Sequence, residues 1–386
     1  MNKRHKMLWI DITDPKYALF FNALLPYLER LDSVLITTRK SDGYTECANL
    51  LAKFGIEAIC IGGGSGYGGL SLEGKMLARI KRQEEFITLF KRVGKPRVFL
   101  SGASVEGAQS AFGLGIPIVH FSDTPMASFE GGEDNITVLS RLTLPLSSII
   151  FYPFVVPKKA YRFFGVGMQN LIKYDFIDVA LWLGDLQKEM LGKNSDKSKK
   201  KKDFLARLGF RDFGENKPLI LAREEEYKAH YVGEKYPLFY EILHALAKQN
   251  LANIIIMPRY ERWYLEQEFG KYECVRVAKE TFFVNEFYPH IDMLIGGGGT
   301  MNLESSFLGI PTLSTRSLLL YHDKYLLENG LMHHAKSVDL ALEVFFDFRQ
   351  NGFVRRDNAH FFVPKGARLL LEIDKIISQI KTRFYI

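Results

Sequence analysis

The chain has 386 residues, 47% hydrophobic and 25% charged, with a formal net charge of +7. It is long enough for two hydrophobic cores, and its composition excludes a disordered or collagen-like chain. Lys193, Lys197 and Lys199 to Lys202, offset by Asp196, hold most of the excess charge in one short polar stretch, so the remainder is nearly neutral. That stretch reads as a solvated linker and argues against a nucleic-acid partner. Cys47, Cys60 and Cys274 are widely spaced and match no metal or disulfide framework, so they read as reduced bystanders. No apolar run approaches bilayer length, and Met1 to Lys6 leads straight into a short strand. The expected location is cytoplasmic.

In chain order, Leu8 to Ile12 predicts a strand that turns at Thr13-Asp-Pro15 into a helix ending near Arg30. Val34 to Thr38 and Gly43 to Phe54 predict the next strand and helix, and further strands fall at Ala58 to Ile61, Val98 to Ser101, Ile118 to Phe121 and Ser148 to Tyr152. The second half repeats the scheme: strand Pro218 to Ala222, helix Leu238 to Gln249, strand Ile254 to Met257, helix Arg262 to Phe269, strand Asp292 to Ile295, helix Asn302 to Leu308 and strand Pro311 to Ser314. Alternation of this kind implies parallel sheets covered on both faces, an α/β architecture of two doubly wound, Rossmann-like domains facing across a cleft. The boundaries expected are 1–190 for the first domain, 191–203 for the Lys-rich linker or loop and 204–386 for the second. The final helix, Ala367 to Thr382, suits either domain and would pack back on the first in one arrangement.

The most informative stretch is Leu294-Ile-Gly-Gly-Gly-Gly-Thr-Met-Asn-Leu-Glu304. Four glycines in a row lose much backbone entropy on folding and suit a place where something approaches the main chain closely. A helix opening near Thr300 would turn unpaired N–H groups and a partial positive charge toward a phosphate, with Glu304 in its first turn within reach of a sugar hydroxyl. A tight turn without a ligand is the bland alternative. In open parallel sheets ligands bind beyond the carboxyl ends of the strands, and two arginines, Arg223 and Arg259, each follow a strand on that same edge, where a guanidinium can grip a diphosphate. The expected nucleotide-binding set is therefore Arg223, Arg259, Gly296, Gly297, Gly298, Gly299, Thr300, Met301 and Glu304.

In the first domain, Asp11, Asp14 and Asp123 sit at strand ends and are the candidate catalytic bases; Asp14 before Pro15 also reads as a helix cap, and the cap is the stronger reading. His120 reads as a satisfied core residue. Gly64-x-Gly66-x-x-Gly69 within the run Gly62 to Gly69 is formally a dinucleotide fingerprint, but it follows the third strand and lacks the acidic partner, so a lid over the acceptor is the better reading. Phe151 to Phe164 alternates rings with Lys158, Lys159 and Arg162; a buried strand end followed by a loop is favoured over a peripheral membrane contact at the inner face of the membrane.

The pieces Trp9-Ile-Asp-Ile-Thr-Asp-Pro15, Ala111 to Pro117, Asp123-Thr124, Arg141 to Pro145, Ile172 to Asp178, Tyr227 to Tyr231, Pro258-Arg259 and Gly297 to Met301 occur in the order in which they resemble DUF354, an uncharacterised and largely archaeal family. That family is similar to GT-B glycosyltransferases and to non-hydrolysing UDP-N-acetylglucosamine 2-epimerases. The resemblance implies a GT-B-like fold in which Glu304 holds the ribose, Gly298 to Met301 the diphosphate, and Asp323 or Lys324 the donor sugar. The family pattern has histidines where this chain has Tyr17, Leu19 and Pro125-Met126. The expected function is transfer of a sugar from a nucleotide sugar, UDP-linked, to a glycan or lipid-carrier acceptor, with inversion and no required cofactor or metal. A 2-epimerase and a non-catalytic nucleotide-sugar-binding protein are the alternatives.

Overall fold

A computed structural model describes residues 7–39, 45–62, 71–130, 133–192, 197–211, 217–225, 237–259, 262–279 and 282–384. The apolar run of β1 (Met7–Ile12) is buried almost throughout and pairs in parallel on both sides. Its neighbours are β2 (Ser33–Thr38), reached through α1 (Pro15–Leu28), and β4 (Val98–Ser101). Between these lie α2 (Glu46–Lys53), β3 (Ile59–Cys60) and the long α3 (Leu72–Val93); beyond them come α4 (Val105–Gly113), β5 (Ile118–Phe121), α5 (Val138–Thr143), β6 (Ile149–Pro153) and β7 (Leu171–Tyr174). The seven-stranded sheet runs β3-β2-β1-β4-β5-β6-β7, entirely parallel. Trp9 anchors its core, with Phe86, Phe90 and Phe99 at ring-centroid distances of 4.7, 4.8 and 4.2 Å.

After α6 (Ala180–Leu191) and α7 (Lys197–Arg207), a second sheet is built from β8 (Leu219–Arg223), α8 (Leu238–Lys248), β9 (Asn253–Met257), α9 (Trp263–Phe269), β10 (Val275–Val277), α10 (Val284–Phe287), β11 (Met293–Gly296), α11 (Gly299–Phe307), β12 (Thr312–Ser314), α12 (Tyr321–Glu328) and β13 (His333–His334). Its order is β10-β9-β8-β11-β12-β13, again all parallel. Then α13 (Val338–Gln350) packs on α8 over this sheet, and α14 (Ala359–Phe362) and α15 (Leu369–Phe384) close the chain.

Two compact units result, 1–182 with 363–386, and 183–362. The division falls inside α6, ahead of the Lys-rich stretch. Of that stretch, 193–196 lie outside the described residues, and the rest is helical, belonging to α7 rather than to a loop; Lys201 pairs with Asp292, which also accepts the Leu219 N–H at 2.7 Å. The last helix belongs to the first unit. Glu372 accepts the Asp175 N–H at 3.0 Å, Lys375 reaches the Lys173 carbonyl, and Arg383 reaches Asn170. The fold is the GT-B-like pair of doubly wound sheets that the sequence implies.

Candidate functional site

In each sheet the strand order reverses beside the first strand, between β1 and β4 and between β8 and β11, and such switch points open a crevice at the carboxyl ends. In the second unit, Gly296 is registered against Arg223, and the Gly297 N–H bonds the Arg223 carbonyl at 2.8 Å. The helix that follows starts at Gly299, with Gly298 as an extended N-cap, so its first amides carry no side-chain cap. None of the four glycines has a positive φ. A Cβ on Gly296 would lie 2.0 Å from Asn302 Oδ1, and one on Gly297 would lie 2.4 Å from the Glu225 nitrogen. Those two glycines are thus required by the protein's own packing. Gly298 and Gly299 are instead flanked by arginine side chains: a Cβ would meet Arg223 Cγ at 3.7 Å and Arg316 Nη1 at 3.0 Å respectively.

Glu304 sits in the second turn of α11, not the first, because the helix begins at Gly299, close to the opening expected near Thr300. Its carboxylate is buried and accepts a hydrogen bond from the Tyr288 hydroxyl at 2.7 Å. Burial first, and then Glu304, raise the Tyr288 hydroxyl well above its ordinary pKa, with Arg223 acting the other way, so Tyr288 stays a donor. Arg223 spans to the neighbouring loop, its Nη1 donating to the Pro258 carbonyl at 2.7 Å. The half-buried Arg259 gives its backbone N–H to Glu224, whose carboxylate is also claimed by Tyr240 and Tyr264.

Asp323 and Lys324, the alternatives implied for the donor sugar, are placed apart. Asp323 is buried, accepts the Leu320 N–H at 2.9 Å and forms an ion pair with Arg316. Lys324 lies on the exposed side of α12, 3.7 Å from Glu328. Arg316, which the sequence reading missed, follows β12 by two residues and is the counterpart of Arg223 on the other side of β11. Beside it, Glu225 accepts from the Ser317 N–H and hydroxyl, each at 3.0 Å; burial pushes its carboxyl up, while Ser317 and Arg316 pull it down.

The three carboxylates expected to act as bases in the first unit have different surroundings. Asp11 is fully enclosed: Arg82 donates to both of its oxygens at 2.9 and 2.6 Å, Thr37 donates at 2.6 Å and Ser104 donates as well. All its acceptor capacity is used, so it is an anchor. Asp14 caps α1, accepting the Lys16 N–H at 2.9 Å, as the stronger reading had it. Asp123 is joined to the largely buried Lys16, which also lies 2.7 Å from Asp178. Burial alone would lower the Lys16 ammonium, but Asp123 and then Asp178 outweigh it and leave it well above its ordinary pKa. Tyr174 donates to Asp178 at 2.6 Å, and Tyr17 and Tyr161 donate to the Phe121 and Ser122 carbonyls beside Asp123. His120 is not the satisfied core residue expected: its buried Nδ1 has no partner among the described residues, and burial, offset by a Gly102 backbone bond and by Asp123, lowers it to about 4.

The glycine run read as a lid lies outside the described residues from Gly63 to Gly69, as does Tyr227 to Tyr231. In the aromatic and basic segment, Tyr161 and Phe164 are core residues, leaving Lys158 and Lys159 exposed. Among the described residues no three His, Cys, Asp or Glu side chains converge as a metal site, and no helix is long and apolar enough to cross a membrane.

Among solved structures, the chain is similar to the UDP-N-acetylglucosamine 2-epimerase of Neisseria meningitidis bound to UDP-N-acetylglucosamine, with a TM-score of 0.72 and 15% identity over 98% of this chain and 100% of that one. A Methanocaldococcus jannaschii 2-epimerase bound to UDP-N-acetylglucosamine and UDP gives 0.70 and 14% over 97% and 99%. An Anabaena protein in complex with UDP-glucose gives 0.62 and 13% over 98% and 100%. These likenesses establish the fold. By sequence it is 28% identical, over 86% of this chain and 88% of the relative, to the uncharacterised protein MJ0665 of Methanocaldococcus jannaschii. The family model of DUF354, described as a protein of unknown function, matches residues 6–358, and the chain belongs to that family.

Proposed function

We propose that the second unit binds the nucleoside diphosphate of a UDP-linked sugar and that the protein transfers the sugar to an acceptor hydroxyl with inversion. The observation that carries this reading is the uncapped start of α11 at a switch point, with the Arg223 side chain alongside Gly298 and a buried carboxylate, Glu304, one turn further on. A phosphate on the free amides and a ribose hydroxyl on Glu304 would use these groups together. Uridine is favoured because the solved structures of this fold carry UDP-N-acetylglucosamine, UDP or UDP-glucose. Of the three carboxylates, Asp123 is assigned as the base, since Asp11 and Asp14 are committed to holding Arg82 and α1. Arg223, Arg259 and the α11 amides are assigned the leaving diphosphate charge, with no metal required. The acceptor assigned is a glycan or lipid-linked hydroxyl, met in the cytoplasm or at the inner face of the membrane.

A second reading, epimerisation at the sugar C2, is favoured by one observation: two of the similar folds, aligned over nearly their whole length, are 2-epimerases. Product analysis separates the two, because an epimerase converts UDP-N-acetylglucosamine alone and a transferase releases UDP only with acceptor. The test of the shared step is a thermal titration with UDP, UDP-N-acetylglucosamine, GDP, ADP and NAD. A uridine ligand at a hundredfold its Kd stabilises by about 2.7 kcal/mol, and Glu304→Gln is expected to lose most of that gain. No stabilisation by any uridine ligand would sink the proposal.

A further inference from the structure

Arg316 presents an electrostatic problem that the protein by itself leaves half solved. Its guanidinium lies against Gly299, the first residue of α11, so a full positive charge sits at the positive end of a helix dipole, where cations are disfavoured. Asp323 offsets it through Nη1, and the same carboxylate oxygen also takes the Leu320 N–H. The Arg316 Nε is buried, with no hydrogen-bond partner among the described residues, and so is the Oγ1 of the preceding Thr315, a residue 1% exposed. Unmade hydrogen bonds of this kind are destabilising, more so for a charged group. Arg316 is held in place at both ends: Asp323 pairs with its guanidinium, and its carbonyl lies 3.0 Å from His334 Nε2.

We propose that Arg316 is the second diphosphate-binding arginine of this site, held ready by Asp323, and that Asp323 is a positioning residue rather than a ligand of the donor sugar. The inference rests on the nucleotide reading above and adds to it the group that would recognise the phosphate farther from the nucleoside. An anion at Gly298 to Thr300 would lie between two guanidinium groups contributed by the strands that flank β11, Arg223 from β8 and Arg316 from the β12 loop. It would give Arg316 Nε and Thr315 Oγ1 the partner they lack, and it would turn the unfavourable dipole interaction into a favourable one. Glu225, packed against Gly297 and bonded to Ser317, would then bound the site with negative charge.

The test compares UDP by calorimetric titration with uridine by saturation-transfer NMR, on the full chain and on Arg316→Gln and Arg316→Lys. Arg316→Gln is expected to weaken UDP by about tenfold to a hundredfold and to leave uridine within about twofold, as charge-assisted hydrogen bonds to phosphate require. Arg316→Lys should recover only part of the loss, since a point charge replaces a fork. Retained uridine binding shows that the variant is folded at the site. UDP affinity unchanged in Arg316→Gln, or UDP and uridine affinity falling together, overturns the assignment while leaving the nucleotide site intact. A wild-type chain that binds neither ligand removes both.

Discussion

At the scale of single residues, the same chemistry has opposite meanings in different surroundings. Asp11 and Asp123 are both aspartates at the carboxyl ends of strands in one parallel sheet, yet Asp11 accepts four hydrogen bonds and Asp123 is shared with a lysine at a less enclosed position. Asp11→Asn would leave Arg82, itself 0% exposed, with only the more distant Glu106 at 3.5 Å as a counter-charge. Breaking a buried pair from one side costs about 3–5 kcal/mol, a loss readable as a lower urea midpoint. A variant that kept full stability and lost only turnover would instead make Asp11 the base. His120 supplies a pH signature. Its pKa in the folded state, about 4, lies below the ordinary value of 6.5, so the unfolded chain binds the proton more readily. The stability it contributes is complete above pH 6.5 and falls as the pH drops toward 4, by an amount of order 3 kcal/mol. Urea titrations at pH 7, 5.5 and 4.5 should show this decline, and His120→Asn should flatten it; an equal decline in both proteins would assign the effect elsewhere.

At the scale of elements, the strands were legible and several helix starts were not. Apolar runs such as Val98–Ser101 and Ile118–Phe121 have the bounds expected of them, because a strand buried on both faces has no polar interruption. α11 begins at Gly299 rather than at Asn302 because its cap is a glycine with no side-chain bond, which leaves no signal at the true start. Asn302 imitates one, but its amide donates back to the Gly296 carbonyl at 3.3 Å. The early start places Glu304 in the second turn, and the packing of Gly296 and Gly297 leaves Gly298 and Gly299 facing the arginines. β7 and α3 passed unnoticed: the first is an edge strand interrupted by the exposed Lys173, and the second carries exposed apolar residues such as Met76, Leu77 and Ile80 that blur its pattern. Yet α3 supplies Arg82, the partner that decides what Asp11 can do.

At the scale of the whole molecule, the first unit is assembled from two pieces of chain, 1–182 and 363–386. Helix α15 buries Ile373, Ile376 and Ile380 in that unit, each worth about 2 kcal/mol. Ending the chain after Ala367 should therefore unfold or strongly destabilise the first unit, while hydrogen exchange in the second sheet stays protected. Equal loss of protection in both sheets would show that the units do not fold separately. The sequence by itself determined the alternation of strands and helices, hence the two parallel sheets and the glycine turn with Arg223 on one carboxyl edge, because those features are periodicities and short-range spacings. Only the tertiary structure decided which carboxylates are locked, where the last helix packs and that Arg316 lies over the start of α11. Such pairings join residues far apart in the chain, as Asp11 and Arg82 are, and no local pattern records a partner 71 positions away.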